Sequence, residues 1–490
     1  MQFTAFRYLL MIIVPGFIAC VSHVDALPTG PGPSSALVLA FPQSAKDDVL
    51  TSVRRSDRTS RDAGGKLARL TPAEHLRRAN VYMGNRAFSE AREHWEALIS
   101  YYPQDSKVPE AMLGIGRSYF QARRYDEAFS EFDRLAHDHP STKEGREGLN
   151  FAAAALLRLG RAAEAVERYI EYTNRFPNGE RIDTAYLNVI DGLREAGRPQ
   201  DAIQWIDQTR AKFKGTPTET NALFARLRLD IAESDWQHAV GVADEIARQG
   251  FRKSVLTSPA EVAYLKAYSL ERLGNRQLAA AAYQMVPEGI NSYYGWRATE
   301  RLNSLTDVKG RPLVDERKQQ IESALSAVQD QYPAPYRQTI LRAAKARRLD
   351  PRFILALMRQ ESVFRPLAKS PSGARGLLQL TIDAAQKYAT GAGLRTVSEN
   401  ELYQPETSIL VGAEYLAQLA EMFPNNLEAI AASYNGGEDN VARWVKRAKL
   451  KEPAVFTSEI GFEETKSYVQ KVMSNYRAYR QLYTTELERR

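Results

Sequence analysis

The chain is poor in the residues from which many active sites are made. Its single cysteine, Cys20, excludes an intramolecular disulfide and any multi-cysteine zinc site. Its six histidines are scattered and form no His-Glu-x-x-His pattern, which argues against a zinc hydrolase. The chemistry is therefore expected from ordinary side chains, with no cofactor and no metal. The apolar run from Tyr8 to Ala19 is too short to cross a bilayer as a mature helix. Behind Arg7 it has the length of a signal-peptide core. Neither sign of charge is scarce: 66 Lys and Arg face 59 Asp and Glu, a net charge of +7 that favours nucleic acid, anionic lipid or acidic wall polymers.

What is present is ordinary soluble composition, 44% hydrophobic and 26% charged over 490 residues, which excludes wholesale disorder and a multi-span membrane protein. At roughly 100–200 residues per domain, several units are expected. Residues 1–26 read as a signal peptide, with two processing readings. Phe17-Ile18-Ala19-Cys20 resembles a lipobox with an unusual Phe in first place, which would make an outer-membrane lipoprotein touching the membrane only through its lipid anchor. Val24-Asp25-Ala26 suits a cut after Ala26. Either route exports the chain to the periplasm, which removes nucleic acid as a partner. Residues 27–70, with Pro28, Pro31, Gly32 and Pro33 and a polar run from Ser52 to Lys66, read as a flexible tether.

Self-similarity dominates residues 71–305. Phe88-Ser-Glu-Ala91, Tyr125-Asp-Glu-Ala128, Ala162-Ala-Glu-Ala165, Pro199-Gln-Asp-Ala202 and Trp236-Gln-His-Ala239 recur every 37 residues, and Pro103, Pro140 and Pro177 keep the same interval. A weaker, offset unit runs from Glu261 through Gly274 and Ala279 to Tyr294. Each unit resembles a tetratricopeptide helix pair, slightly lengthened, in which a small residue sits where two helices cross closely. An all-α solenoid follows, with a surface suited to protein partners. A connecting helix is expected over residues 306–331, ended by Pro333 and Pro335. Residues 332–490 show helical periodicity and should form a second, mainly helical domain able to fold and act alone.

In that domain Asp350-Pro351 starts a helix on which Ile354, Leu357, Met358 and Glu361 share one face. A carboxyl group set against apolar side chains is desolvated, its pKa rises, and it can serve as an acid near neutral pH. A turn rich in Gly and Pro, 370–379, ends in the amide Gln379. Leu427, Ile430, Ala431 and Tyr434 repeat the helical spacing and lead to Asn435 and the stop Gly436-Gly437. A carboxyl, an amide and a phenol at the ends of buried elements suit a sugar cleft.

Glu361-Ser362, the Ser-Pro-x-Gly-Ala-x-Gly-Leu-x-Gln run at 370–379, Tyr434-Asn435 with its glycines, and Glu464-Thr465-Lys466-Ser467-Tyr468-Val469 resemble, in order and spacing, the soluble lytic transglycosylases of family 23 glycosidases, which have a goose-type-lysozyme-like fold. The resemblance implies non-hydrolytic cleavage of the MurNAc-β-1,4-GlcNAc bond of peptidoglycan glycan strands, leaving 1,6-anhydromuramyl ends. It implies Glu361 as the single acid/base and Ser370, Gln379, Tyr434 and Glu464 as cleft residues that bind substrate. Leu378 and Thr381 stand where Met is usual, Gly461 where Pro is common, and Lys466 in place of Arg. A single carboxyl suffices when a neighbouring acetamido group supplies the nucleophile. Two rivals remain open: a hydrolytic lysozyme using the same Glu361, and a catalytically silent glycan-binding scaffold.

Overall fold

The second helix of each 37-residue unit begins at the motif that marks the repeat. In the computed structural model these helices are Phe88–Tyr101, Tyr125–Asp138, Ala162–Arg175, Pro199–Lys212 and Trp236–Gln249. The fourth residue of each, Ala91, Ala128, Ala165, Ala202 and Ala239, is wholly buried, so a larger side chain there would force neighbouring helices apart. The offset unit obeys the same rule, with Ala279 fully buried on Arg276–Gln284. The structure describes residues 45–305, 311–449 and 452–490, so the signal-peptide and lipobox readings and the first part of the tether lie outside the described residues. All elements are helical among the described residues, and the strand-like pairing there is confined to three isolated bridges.

The tether expectation is corrected from Ala45 onward, because Ala45–Ser60 is a helix. Leu50 and Val53 are buried, and Asp57, on the same face, is only 3% exposed. Asp57 accepts hydrogen bonds from Tyr82 (2.5 Å) and from the ring of His94 (3.1 Å) and pairs with Arg78. Its charge therefore enters the core already neutralised, a pairing that a polar-looking stretch hides. In the connecting region, Arg311–Ala327 buries Val314, Ile321 and Leu325, and Arg317 donates to the Val286 carbonyl (3.0 Å).

The turn before each second helix holds one residue in the left-handed region. At two units it is Gly160 and Gly197, and at two others it is Arg86 (φ 60°) and Arg123 (φ 61°). A non-glycine residue there is strained by about 1 kcal/mol. Both arginines use the position to reach the carboxy-terminal domain: Arg86 donates to Asp383 (2.6 and 2.7 Å), and Arg123 to Glu438 (2.5 and 2.8 Å). Further along the solenoid Arg194 grips Glu459 (2.5 and 3.1 Å), Tyr264 donates to Glu452 (2.9 Å), and Tyr293 to Glu428 (3.1 Å). Lys466, the departure from the usual Arg, donates to Glu261 of the solenoid (3.1 Å).

Burial alone would raise the Glu459 pKa, but Arg194, Arg228 and Arg447 outweigh it and hold the carboxyl below its ordinary range. The apolar core is shared as well: one buried cluster runs from Leu223 in the solenoid to Leu487 near the carboxy terminus. These contacts weigh against the expectation that residues 332–490 stand alone, since Glu428 and Lys466 would lose their solenoid partners and Glu459 would keep only Arg447. Glu459→Ala should lower the stability of the full chain by about 3–5 kcal/mol in chemical denaturation, as breaking one side of a buried ion pair does. The fragment 332–490 should lack a cooperative unfolding transition. A fragment transition as sharp as that of the full chain would show that the shared core is dispensable.

Candidate active site

Glu361 lies in the last turn of Pro351–Ser362. Asp350 caps that helix by accepting from the Arg352 N–H (2.9 Å), and Ile354, Leu357 and Met358 are fully buried on its inner face. The helix stops abruptly because Val363 (φ 49°) and Phe364 (φ 58°) both adopt left-handed backbone. A β-branched residue there stores about 1–3 kcal/mol of strain. Ser362 ties the helix end to the neighbouring loop by donating to the Leu377 carbonyl (2.8 Å).

That loop is built around its backbone. Gly376 (φ 80°) must be glycine, since a Cβ would lie 2.0 Å from the Leu402 carbonyl oxygen. Arg375 is fully buried and donates to the Gly373 carbonyl (2.6 Å). Ser370, 2% exposed, accepts from the Ala374 N–H (3.0 Å) and bonds Ser372 (2.9 Å), so its hydroxyl shapes the loop. Gln379 takes left-handed backbone (φ 46°), and its amide nitrogen donates to the carbonyls of Ala368 (3.0 Å) and Gly376 (2.9 Å). Among the described residues, the amide oxygen of Gln379 accepts no hydrogen bond, unlike its nitrogen.

The phenol of Tyr434, from Leu427–Gly436, donates to the Leu378 carbonyl (2.7 Å). Its ring lies 5.1 Å from that of Tyr415, which stacks on Tyr388 at 4.7 Å. On the other side, Tyr468 of Glu463–Leu482 donates to Oε1 of Glu361 at 2.6 Å. Glu361 is half-buried by its own surface yet enclosed by protein at longer range. Burial pushes its pKa up to about 8, the hydrogen bond from Tyr468 pulls the other way, and the charge of exposed Glu464 adds to the rise.

Glu361, Tyr434 and Glu464 are thus brought within electrostatic reach of one another, with Gln379 beside the carbonyl that Tyr434 holds, while Ser370 stays inside its loop. Tyr468 was missed as a site residue. Its signal was available: it stands four residues after Glu464, one helical turn along the same face. Of the four departures, Gly461 has a steric reason, because a Cβ would come within 3.1 Å of Trp444 Nε1. Among the described residues, Asp230, Asp235 and His238 cluster tightly enough to hold a metal, but they lie in the solenoid, and Asp230 is already paired with Arg226 (2.7 Å) and His238 (2.6 Å).

A carboxyl whose pKa is higher folded than unfolded holds its proton better in the native state, so stability falls as pH rises from about 4.5 towards 8. Glu361→Gln should therefore be more stable than the parent at pH 7, by roughly 1–3 kcal/mol, with the gain vanishing near pH 4. Denaturant titrations at both pH values measure it. A gain that does not depend on pH would mean that the carboxyl is ionised in the folded chain.

Residues 338–456 match the family model of the Transglycosylase SLT domain, and residues 76–141 match a Tetratricopeptide repeat model. The chain is 40% identical over 123 residues to the putative soluble lytic murein transglycosylase of Haemophilus influenzae, a match covering 25% of this chain and 21% of that one. It is 32% identical over 154 residues to the soluble lytic murein transglycosylase of Escherichia coli, covering 31% and 24%. The match thus spans about a fifth to a quarter of the length of these curated relatives. The lytic transglycosylase Slt of Pseudomonas aeruginosa, solved as an inactive mutant, superposes with a TM-score of 0.49 at 18% identity, covering 88% of this chain and 85% of that one. The chain carries a carboxy-terminal domain of the SLT lytic transglycosylase type, preceded by tetratricopeptide-like repeats.

Proposed function

We propose that the chain is a peptidoglycan lytic transglycosylase with Glu361 as its one acid/base. The observation that carries this reading is a carboxyl held protonated by burial and bonded by the Tyr468 hydroxyl at 2.6 Å. Glu361 gives its proton to the glycosidic oxygen as the bond from the MurNAc anomeric carbon breaks, and the acetamido oxygen of the same sugar bonds to that carbon. The ionised Glu361, steadied by the Tyr468 hydroxyl, then takes the proton of the C6 hydroxyl as its oxygen attacks the anomeric carbon and releases the acetamido group. The proton count closes on Glu361, and no water is added. General acid/base action of this kind supplies roughly 10²–10⁴ in rate.

The amide oxygen of Gln379 suits the N–H of the acetamido group, and the Tyr434–Tyr415–Tyr388 ladder backs the loop that carries Gln379. Ser370 supports the loop that presents Gln379, and Glu464 keeps Glu361 protonated through its charge. The relatives, soluble lytic murein transglycosylases by name, support the same substrate. On this reading the chain works in the periplasm, and the outer face of its repeats holds protein partners. No helix among the described residues is long and apolar enough to cross a membrane.

Glu361→Gln should fold normally and release no anhydromuropeptides from sacculi, read by mass spectrometry. Parent products one water lighter than reducing ends support the transglycosylase, and products of full mass identify a hydrolytic lysozyme. Retention of more than a few per cent of activity by Glu361→Gln would remove it as the acid. Because Glu361 must be protonated to act, parent activity should fall as pH rises through about 8. Tyr468→Phe removes a hydrogen bond that lowers this pKa, so it should move the alkaline limb upward; a downward move would contradict the assigned bond.

A further inference from the structure

At the opposite end of the Glu438–Ala448 helix from Gly436-Gly437, a pocket of about 430 Å³ opens between that helix and the solenoid. None of Glu361, Gln379, Tyr434, Glu464 or Tyr468 lines it. Its solenoid wall comes from the turns at Gly160 and Gly197 and from the end of Pro217–Ala232. The cations that line it are Arg194, Arg443, Lys446, Arg447 and Lys449, against the carboxylates Glu195 and Glu233. Directly behind the wall, Arg228 and the carboxylates Asp191 and Glu459 complete the network.

Ion pairing leaves a surplus. Arg443 bonds Glu195 (2.7 Å), Lys449 bonds Glu233 (2.7 Å), and Arg194, Arg228 and Arg447 share Glu459 and Asp191. Three guanidinium groups on two carboxylates leave one positive charge over. Lys446, exposed at the rim, has no carboxylate partner among the described residues and adds a second. Moreover, Nε of Arg194 and Nε of Arg443 are buried without a hydrogen-bond acceptor. Buried donors of native proteins almost always have partners, so these two, one on each wall and beside surplus positive charge, mark a place for acceptor oxygens. Between the charges the wall is apolar, with Leu157, Pro199, Leu229 and Ala232. The volume suits a small molecule.

We propose that this pocket binds a small organic dianion, its acid groups held by the guanidinium cluster and Lys446 and its short apolar body laid against Leu157 and Leu229. The inference is independent of the reaction at Glu361. Carboxylate and phosphate share the required chemistry, and a ligand there touches both halves of the chain, so binding should raise the thermal midpoint of the whole molecule.

The full chain is titrated calorimetrically at low salt with N-acetylglutamate, a dicarboxylate, and with glycerol 3-phosphate, a phosphate dianion. At least one probe should saturate with Kd below about 10 mM and raise the midpoint, and the tighter of the two identifies the acid group. Lys446→Glu should weaken binding at least about fivefold at low salt. Ala232→Trp, which fills the pocket and leaves every charged residue in the sequence, should abolish binding. If the tryptophan variant does not fold, Lys446→Glu alone decides. Failure of both probes to saturate below about 10 mM, or binding to Lys446→Glu as tight as to the parent, overturns the proposal.

Discussion

A carboxyl group that keeps its proton near neutral pH must be taken out of water, and the environment of Glu361 is arranged around that requirement. The buried face of Pro351–Ser362 removes solvent from one side, and the left-handed pair Val363 and Phe364 ends the helix so that the carboxyl is the last group on that face. One phenol, Tyr468, touches the carboxyl directly, and another, Tyr434, locks the adjoining loop through the Leu378 carbonyl. The opposing effects are unequal: burial and the Glu464 charge raise the pKa, one hydrogen bond lowers it, and the rise prevails. The same hydrogen bond that weakly opposes protonation would stabilise the ionised form once the proton has been given away.

Such a site needs a rigid frame, and the frame extends well beyond the carboxy-terminal domain. The 37-residue register places equivalent turns side by side, and those carrying Arg86 and Arg123 accept backbone strain to place their guanidinium groups on Asp383 and Glu438. Glu438 follows the glycines that end the Tyr434 helix, so the grip of Arg123 acts close to the site. The departure Lys466 has a similar meaning. It lies two residues from Tyr468 on one helix and is fastened to Glu261 of the solenoid. Solenoid and carboxy-terminal domain are fastened together because buried charges on each side are paired from the other.

The repeat was legible because its signal is periodic: five helices begin at the recurring motif, and the small residue it carries is buried each time. The buried setting of Glu361 was legible from helical spacing, which put it on the face of Leu357 and Met358. Other features were hidden for identifiable reasons. The Ala45–Ser60 helix has a polar sequence whose key buried group, Asp57, is paired with Arg78 and hydrogen-bonded by His94 from two other helices. The pairing of Arg194 with Glu459 joins residues 265 positions apart, and no local pattern encodes it. Gln379 showed its amide but not that left-handed backbone would turn the nitrogen back on its own loop. Ser370 looked like a cleft hydroxyl, and its bonds to Ser372 and to the Ala374 N–H, which no spacing in the sequence announces, hold it within its own loop.

The central claim is that Glu361 is protonated in the folded chain near neutral pH because protein has replaced its water. A direct titration of its side-chain carboxyl tests this, by carbon NMR of selectively labelled full-length chain with Glu361→Gln used to assign the resonance. The account requires a midpoint near 8. A midpoint near 4.5, the ordinary value for a glutamate, would contradict it and leave the chain without its acid.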